Sequence, residues 1–126
     1  MHKGLQYLFL PCFLLLPAKK LIEKAIHTVE NNISNYDFTV EDFAKSLNLS
    51  RTHLHRKLKS LTNQSATEFI RNIRLKHAIV LMKSGDYRIN EIGFAVGFNS
   101  HNYFTKAFKR LYGKSPRDFV RDNFKK

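Results

Sequence analysis

The chain holds a single cysteine, Cys12, in 126 residues. No internal disulfide can form, and thiolates cannot found a zinc site. Such a chain suits a reducing compartment, and the cytoplasm is the expected location. Proline and glycine are scarce, with 3 and 5 residues, each in a turn-like context. That excludes low-complexity linkers and a phosphate-cradling glycine loop. Acids are few as well, 10 against 22 Lys and Arg. No paired-carboxylate site and no Ser/His/Asp arrangement can be defended. The 6 histidines make no metal set: His53 and His55, two apart on a helix, point to different faces. No enzyme, cofactor or metal is therefore expected. The longest apolar run, residues 5–16, is broken by Pro11 and has 12 residues, whereas a membrane span needs about 20. No run alternates with the period of two that a half-buried strand requires.

What the chain does have is positive charge, +12 in all. A balance of this kind says nothing about fold but points to a polyanion, either nucleic acid or an anionic membrane surface. The cations cluster by segment. Between residues 50 and 84, Arg51, Arg56, Lys57, Lys59, Arg71, Arg74, Lys76 and Lys83 face Glu68 alone. Between residues 100 and 117, Lys106, Lys109, Arg110, Lys114 and Arg117 face no acid. A solvated lysine-rich surface is the plain alternative, but this grouping favours a binding face.

The first seventeen residues read differently from the rest. His2 and Lys3 ahead of the apolar run resemble the start of a secretory signal, but Leu16-Pro17-Ala18 followed by Lys19-Lys20 makes a poor cleavage site. A remnant of a longer upstream chain, or a misassigned start, is the preferred reading, and a packed N-terminal extension is the third. Residues 1–17 are expected to lie outside the fold, and residues 18–126 to form it.

From residue 18 the chain reads as all-α, about seven helices. Leu21, Ile22, Ala25, Ile26, Val29 and Ile33 give one apolar face to a first helix over residues 18–32. Thr39, with Asp42 three residues on, caps a second; it stops at Asn48, which tolerates the left-handed conformation. Ser50 caps a third, to about residue 61, with a narrow stripe of Leu54, Leu58 and Leu61 under a broad basic surface. Ser65-Ala66-Thr67-Glu68 is a capping box opening a long helix that Ser84-Gly85 ends. The second half repeats the first. Ile89, Ile92, Gly93 and Val96 line a short helix, Gly97 supplies the turn, and Ser100 caps a helix with Tyr103, Phe104, Ala107, Phe108 and Leu111 on its apolar side. Gly113 ends that helix, and Ser115-Pro116-Arg117-Asp118 starts the last.

Both halves thus share one layout: short helix, tight turn, Ser-capped basic helix. In each, a small residue (Ala44, Gly93) stands four positions before the turn residue, where two helices cross closely. This is the helix-turn-helix pattern twice, over residues 18–64 and 85–126, joined by a linker helix over residues 65–84. In such motifs the second helix reads base edges in the major groove from its N-terminal end. Two of them on one stiff chain are expected to enter successive grooves, about 34–36 Å apart, at an asymmetric site.

The second unit carries Ile92-Gly93, Gly97-Phe98, Tyr103-Phe104, Phe108-Lys109, Gly113, Pro116 and Phe119. That resembles the AraC/XylS regulator pattern I-A-x(3)-G-F-x(4)-Y-F-x(3)-F-K-x(3)-G-x(2)-P-x(2)-F/Y, departing at Gly93, where alanine is usual. Glycine there is expected to loosen its helix by about 1 kcal/mol. Ala44, Ser50, Leu54 and Arg56 match in the first unit, and Phe69-Ile70-Arg71 with Arg74-Leu75 match in the linker. The resemblance covers about residues 22–121. Residues 50–61 with 69–75 also look like the output domains that end hybrid two-component sensor-regulators. The resemblance implies sequence-specific transcription regulation. The implied partners are double-stranded DNA, RNA polymerase and an upstream sensory or receiver domain, with no membrane.

It also places base-reading side chains at Thr52, His55 and Arg56. Arginine to guanine is the commonest specific contact, and a phosphate salt bridge is the alternative for Arg56; His55 reads a base or sits on the backbone. On the second helix His101, Asn102, Thr105 and Lys106 make the corresponding face. Asn102 suits adenine, against a local turn bond near the cap. Ser50 and Ser100 are caps first, whose helix starts also accept a phosphate. Arg51, Lys57, Lys109 and Arg110 complete the expected backbone contacts. Tyr103, Phe104 and Phe108 resemble an aromatic platform, but their helical spacing favours the core. A nonspecific architectural DNA-binder is the main alternative, and a membrane-surface protein a third class.

Overall fold

Hydroxyl side chains set where most of the helices begin. The computed structural model describes residues 12–124. Among them run α1 (Cys12–Asn31), α2 (Val40–Ser46), α3 (Arg51–Thr62), α4 (Ala66–Ser84), α5 (Ile89–Ala95), α6 (His101–Tyr112) and α7 (Pro116–Asn123), with no strand. The Thr39 hydroxyl accepts from the Asp42 amide at 3.0 Å, and the Asp42 carboxylate accepts from the Thr39 amide at 3.1 Å. Ser65 and Glu68 make the same reciprocal pair at α4. Ser50, Ser100 and Ser115 accept from His53, Tyr103 and Asp118 at 3.0, 3.2 and 3.1 Å. Each such cap contributes about 1 kcal/mol. From α2 onward α5 is the exception, because Arg88 precedes it and a guanidinium has no acceptor. There the Glu91 carboxylate accepts from the Arg88 amide instead, at 2.9 Å.

The first helix departs from expectation. It starts at Cys12 rather than at residue 18, with Pro17 inside it. An interior proline removes one bond to the carbonyl four residues back and crowds it. The readings made for residues 1–11 lie outside the described residues.

The chain divides into two units that are not consecutive halves. One holds α1, α2, α3 and α4 as far as Arg71; the other holds residues 32–37, α4 from Asn72, and α5 to α7. In the first unit Phe43 is fully buried, with Phe38 at 6.0 Å and Phe69 stacked at 5.8 Å. Ala25, Val29, Leu54 and Leu58 are sealed from solvent in the same unit. In the second, Leu75, Ala78, Ile92 and Val96 enclose a run of rings. Phe104 lies 5.3 Å from Phe98 and 5.9 Å from Phe108, and Phe119 meets Phe108 edge-on at 5.4 Å.

The two tight turns are built alike. The Leu49 amide donates to the Ala44 carbonyl at 2.9 Å and the Asn48 amide to Lys45 at 3.0 Å. In the second unit Phe98 donates to Gly93 at 2.9 Å and Gly97 to Phe94 at 3.1 Å. This is the Schellman pattern, which needs a left-handed residue; Asn48 has φ 57° and Gly97 φ 97°. At Gly97 a side chain is excluded twice over, because a Cβ would fall on the Arg74 guanidinium and on the Ile33 carbonyl. The Gly97 turn is one residue longer before its serine than the Asn48 turn. Beyond the serines the repeat keeps register: left-handed Asn63 and Gly113 end α3 and α6, and Ser65 and Ser115 open the next helices.

Gly93 is explained by its neighbour. A Cβ there would stand 2.8 Å from Cγ of Phe104, which is fully buried. The ring of Phe104 occupies the space an alanine would need. Among the described residues no helix is long and apolar enough to cross a membrane.

Candidate nucleic-acid interface

α3 buries Leu54, Leu58 and Thr62. Everything else along its first two turns points outward. Arg51, Thr52, His55, Arg56 and Lys57 are all exposed, as is Ser50 at its cap. Arg51, Thr52 and His55 share one cleft of about 270 Å³ with Val40 and with Ala66 and Thr67 at the start of α4. Arg51 stands 3.6 Å from the Glu41 carboxylate with both side chains solvated, a pairing worth no more than about 1 kcal/mol.

α6 presents the matching face. His101, Asn102, Lys106, Lys109 and Arg110 are exposed, while Thr105 and the cap Ser100 are half-buried. Phe104, Ala107 and Phe108 turn inward, as expected. Two residues assigned to that inward side are corrected. Tyr103 is 47% exposed, its ring edge resting on Phe98 at 5.5 Å, and Leu111 is 45% exposed. On a single helix packed from one side, only about a third of the surface is covered, and both residues sit at its margins. No ion pair engages Arg56, Lys57, Lys106, Lys109 or Arg110 among the described residues.

Arg74, counted among the basic residues of the sequence, does not belong to this surface. It is 6% exposed. Its Nη1 donates to the Gly97 carbonyl and its Nη2 to the Asn35 carbonyl at 2.8 Å. Its Nε is buried with no hydrogen-bond partner among the described residues. Burial holds the guanidinium below the usual arginine range. The residue ties α4 to the turn that precedes α6 and so fixes where that helix starts. Nothing in the local pattern of charges distinguishes it from its neighbours, half-buried Arg71 and exposed Lys76.

Comparison with known proteins agrees with this geometry. Residues 43–122 match the family model described as a helix-turn-helix domain. The chain is 39% identical over 101 residues, 80% of its length, to histidine kinase P4 of Formosa agariphila, of which the match spans 7%. It is 37% identical over 101 residues to the Msm operon regulatory protein of Streptococcus mutans, spanning 35% of that protein. It therefore represents about a third or less of the length of these curated relatives. Among solved structures, the C-terminal domain of AraT, a response regulator from Geobacillus stearothermophilus, superposes with a TM-score of 0.75 at 30% identity, over 84% of this chain and 88% of that one. With a matching fold and a family model over most of its length, the chain belongs to the AraC-type helix-turn-helix family of DNA-binding transcription regulators.

Proposed function

We propose that this chain is the sequence-specific reading part of a longer cytoplasmic regulator. α3 and α6 enter successive major grooves of an asymmetric site, one helix per groove. Thr52, His55 and Arg56 on α3, and His101, Asn102, Thr105 and Lys106 on α6, read base edges. Ser50, Arg51 and Lys57, with Ser100, Lys109 and Arg110, hold the flanking phosphates. The observation that carries this reading is the duplicated device: two 12-residue helices, each Ser-capped, each led in by the same Schellman turn, and each carrying cations outside any ion pair among the described residues, Arg56 and Lys57 on α3 and Lys106, Lys109 and Arg110 on α6.

The names of relatives support the setting. A match within a histidine kinase and a likeness to a response-regulator C-terminal domain fit an upstream sensory or receiver module on the same chain. RNA polymerase is the proposed protein partner at the promoter. Selection of bound duplexes from a random library, followed by footprinting of the purified chain, tests the reading. An asymmetric motif with protection in two neighbouring major grooves is expected. Equal binding of all sequences would make the chain an architectural DNA-binder, and protection of a single groove would overturn the two-helix mode. If six to ten phosphates are neutralised, affinity falls by about 10³–10⁵ between 50 and 200 mM salt.

A further inference from the structure

The second unit holds a cleft of about 690 Å³ formed by the last turn of α4, the start of α5, the start of α6 and α7. Met82, Ile92 and Val120 give it apolar lining, and Lys83, Arg88 and Arg117 give it charge. His101, the first residue of α6, also lines it. No Asp or Glu does. Of the acids nearby, Asp86, between the lining residues Gly85 and Tyr87, makes no ion pair among the described residues, and the others are held. The Glu91 carboxylate accepts from the Arg88 backbone amide, and Asp118 and Asp122 are held by Arg121 and Lys114. No ion pair engages Lys83, Arg88 or Arg117 among the described residues, and all three are exposed.

The first unit has a cleft in the repeat-equivalent place. Val40 stands where Ile89 does, at the start of the short helix. Arg51 stands for His101, and Thr67 for Arg117. This cleft is smaller, about 270 Å³, and poorer in free charge. Thr39 and Thr67 replace Arg88 and Arg117, and Arg51 has Glu41 at 3.6 Å. The repeat has therefore kept a cleft beside both reading helices but made only one of them strongly cationic.

We infer that the cleft of the second unit is the principal backbone seat of this chain, taking consecutive phosphodiesters of one DNA strand with Lys83, Arg88 and Arg117 as counter-ions. This rests on the DNA-reading role proposed above and goes beyond it, because none of these three residues lies on the outward face of a reading helix. Phosphate contacts position a duplex without reading it, so the cleft supplies affinity and the helix faces supply preference.

The test is the salt dependence of binding by the full chain, measured by fluorescence anisotropy between 50 and 200 mM KCl on a selected duplex and on a random-sequence duplex. Each phosphate neutralised contributes about 0.9 to the slope of log K against log salt. The combined variant Lys83→Gln, Arg88→Gln, Arg117→Gln should flatten the slope by about 2.7 on both duplexes, leaving the ratio of the two affinities unchanged. The variant Lys19→Gln, Lys20→Gln, Lys24→Gln, which removes the same charge from exposed positions on α1, should leave the slope unchanged. An unaltered slope in the cleft variant, or equal flattening in the α1 variant, overturns the assignment. A flat slope in the parent chain would instead sink the DNA reading itself. If far-UV circular dichroism shows lost helix in the triple variant, the pair Lys83→Gln, Arg117→Gln replaces it, with an expected flattening of about 1.8.

Discussion

Alanine at position 93 should destabilise this domain, even though it improves an α-helix everywhere else. The intrinsic gain of Gly→Ala inside a helix is about 1 kcal/mol. Against it stands the contact at the helix crossing: the new Cβ would lie 2.8 Å from Cγ, 2.9 Å from Cδ2 and 3.0 Å from Cβ of Phe104. Ordinary contact starts near 3.4 Å, so about half an ångström of clearance is missing. The atoms in the way are at the root of the ring, not its flexible far end. Phe104 is fully buried, with Phe98 at 5.3 Å and Phe108 at 5.9 Å, and has no room to withdraw. Overpacking of this kind costs about 1–3 kcal/mol, giving a net loss of about 1 kcal/mol. The first unit shows the compensating solution, since Ala44 and Leu54 stand at the corresponding positions. Phe104→Leu alone should cost about 1–2 kcal/mol through the cavity it leaves. Installed together, Gly93→Ala and Phe104→Leu should cost less than their sum by about 1 kcal/mol, as contacting pairs do. Urea unfolding of the four proteins measures the cycle. A gain in stability from Gly93→Ala alone, or additivity within about 0.3 kcal/mol, would refute the steric account.

Three further outcomes are expected. Arg56→Ala should lose about 1–3 kcal/mol of binding and relax preference at one base position; a loss equal on all sequences would show a phosphate contact instead. Arg74→Met strips the Asn35 and Gly97 carbonyls of their donor and should lower stability by about 2–4 kcal/mol in urea; a change below about 0.5 kcal/mol would show that the clamp does not hold the fold. Hydrogen bonds from Ser65, its backbone amide first and its side chain second, hold the Glu68 carboxyl below the usual carboxylate range. Its stabilising effect is therefore complete above about pH 4.5 and is lost as pH falls through its lowered value. Glu68→Gln should flatten that acid limb, with Asp42, lowered in the same way by Thr39, still contributing. An acid limb that overlays the parent's would contradict this.

Local chemistry was legible in the sequence wherever a short-range rule decides it. Thr39, Ser50, Ser65, Ser100 and Ser115 all cap as their types and positions predict, because capping involves only the next three residues. Asn48 and Gly97 were readable as turns for the same reason. The outward faces of α3 and α6 followed from the spacing of Leu54 and Leu58, and of Phe104 and Phe108. What stayed hidden depends on tertiary neighbours. Gly93 makes sense only beside Phe104, and Arg74 only beside two carbonyls 23 and 39 residues away. The cationic cleft draws on four helices, so no window of sequence contains it. Tyr103 and Leu111 sit at the margin of an apolar stripe, where periodicity does not distinguish covered from open. Pro17 was read as a boundary, yet α1 runs through it.

The interleaved path of the chain limits how the domain can be taken apart. Residues 32–37 precede α2 in the chain but belong with α5 to α7, and Arg74 reaches the Asn35 carbonyl among them. A fragment beginning at Asn72 would lack the strip that seals its own buried arginine. Chimeras that splice reading modules from two relatives within the linker helix would inherit a mismatched strip. A working graft must carry residues 32–37 along with the C-terminal cassette, despite the 34 residues of foreign chain, 38–71, between them.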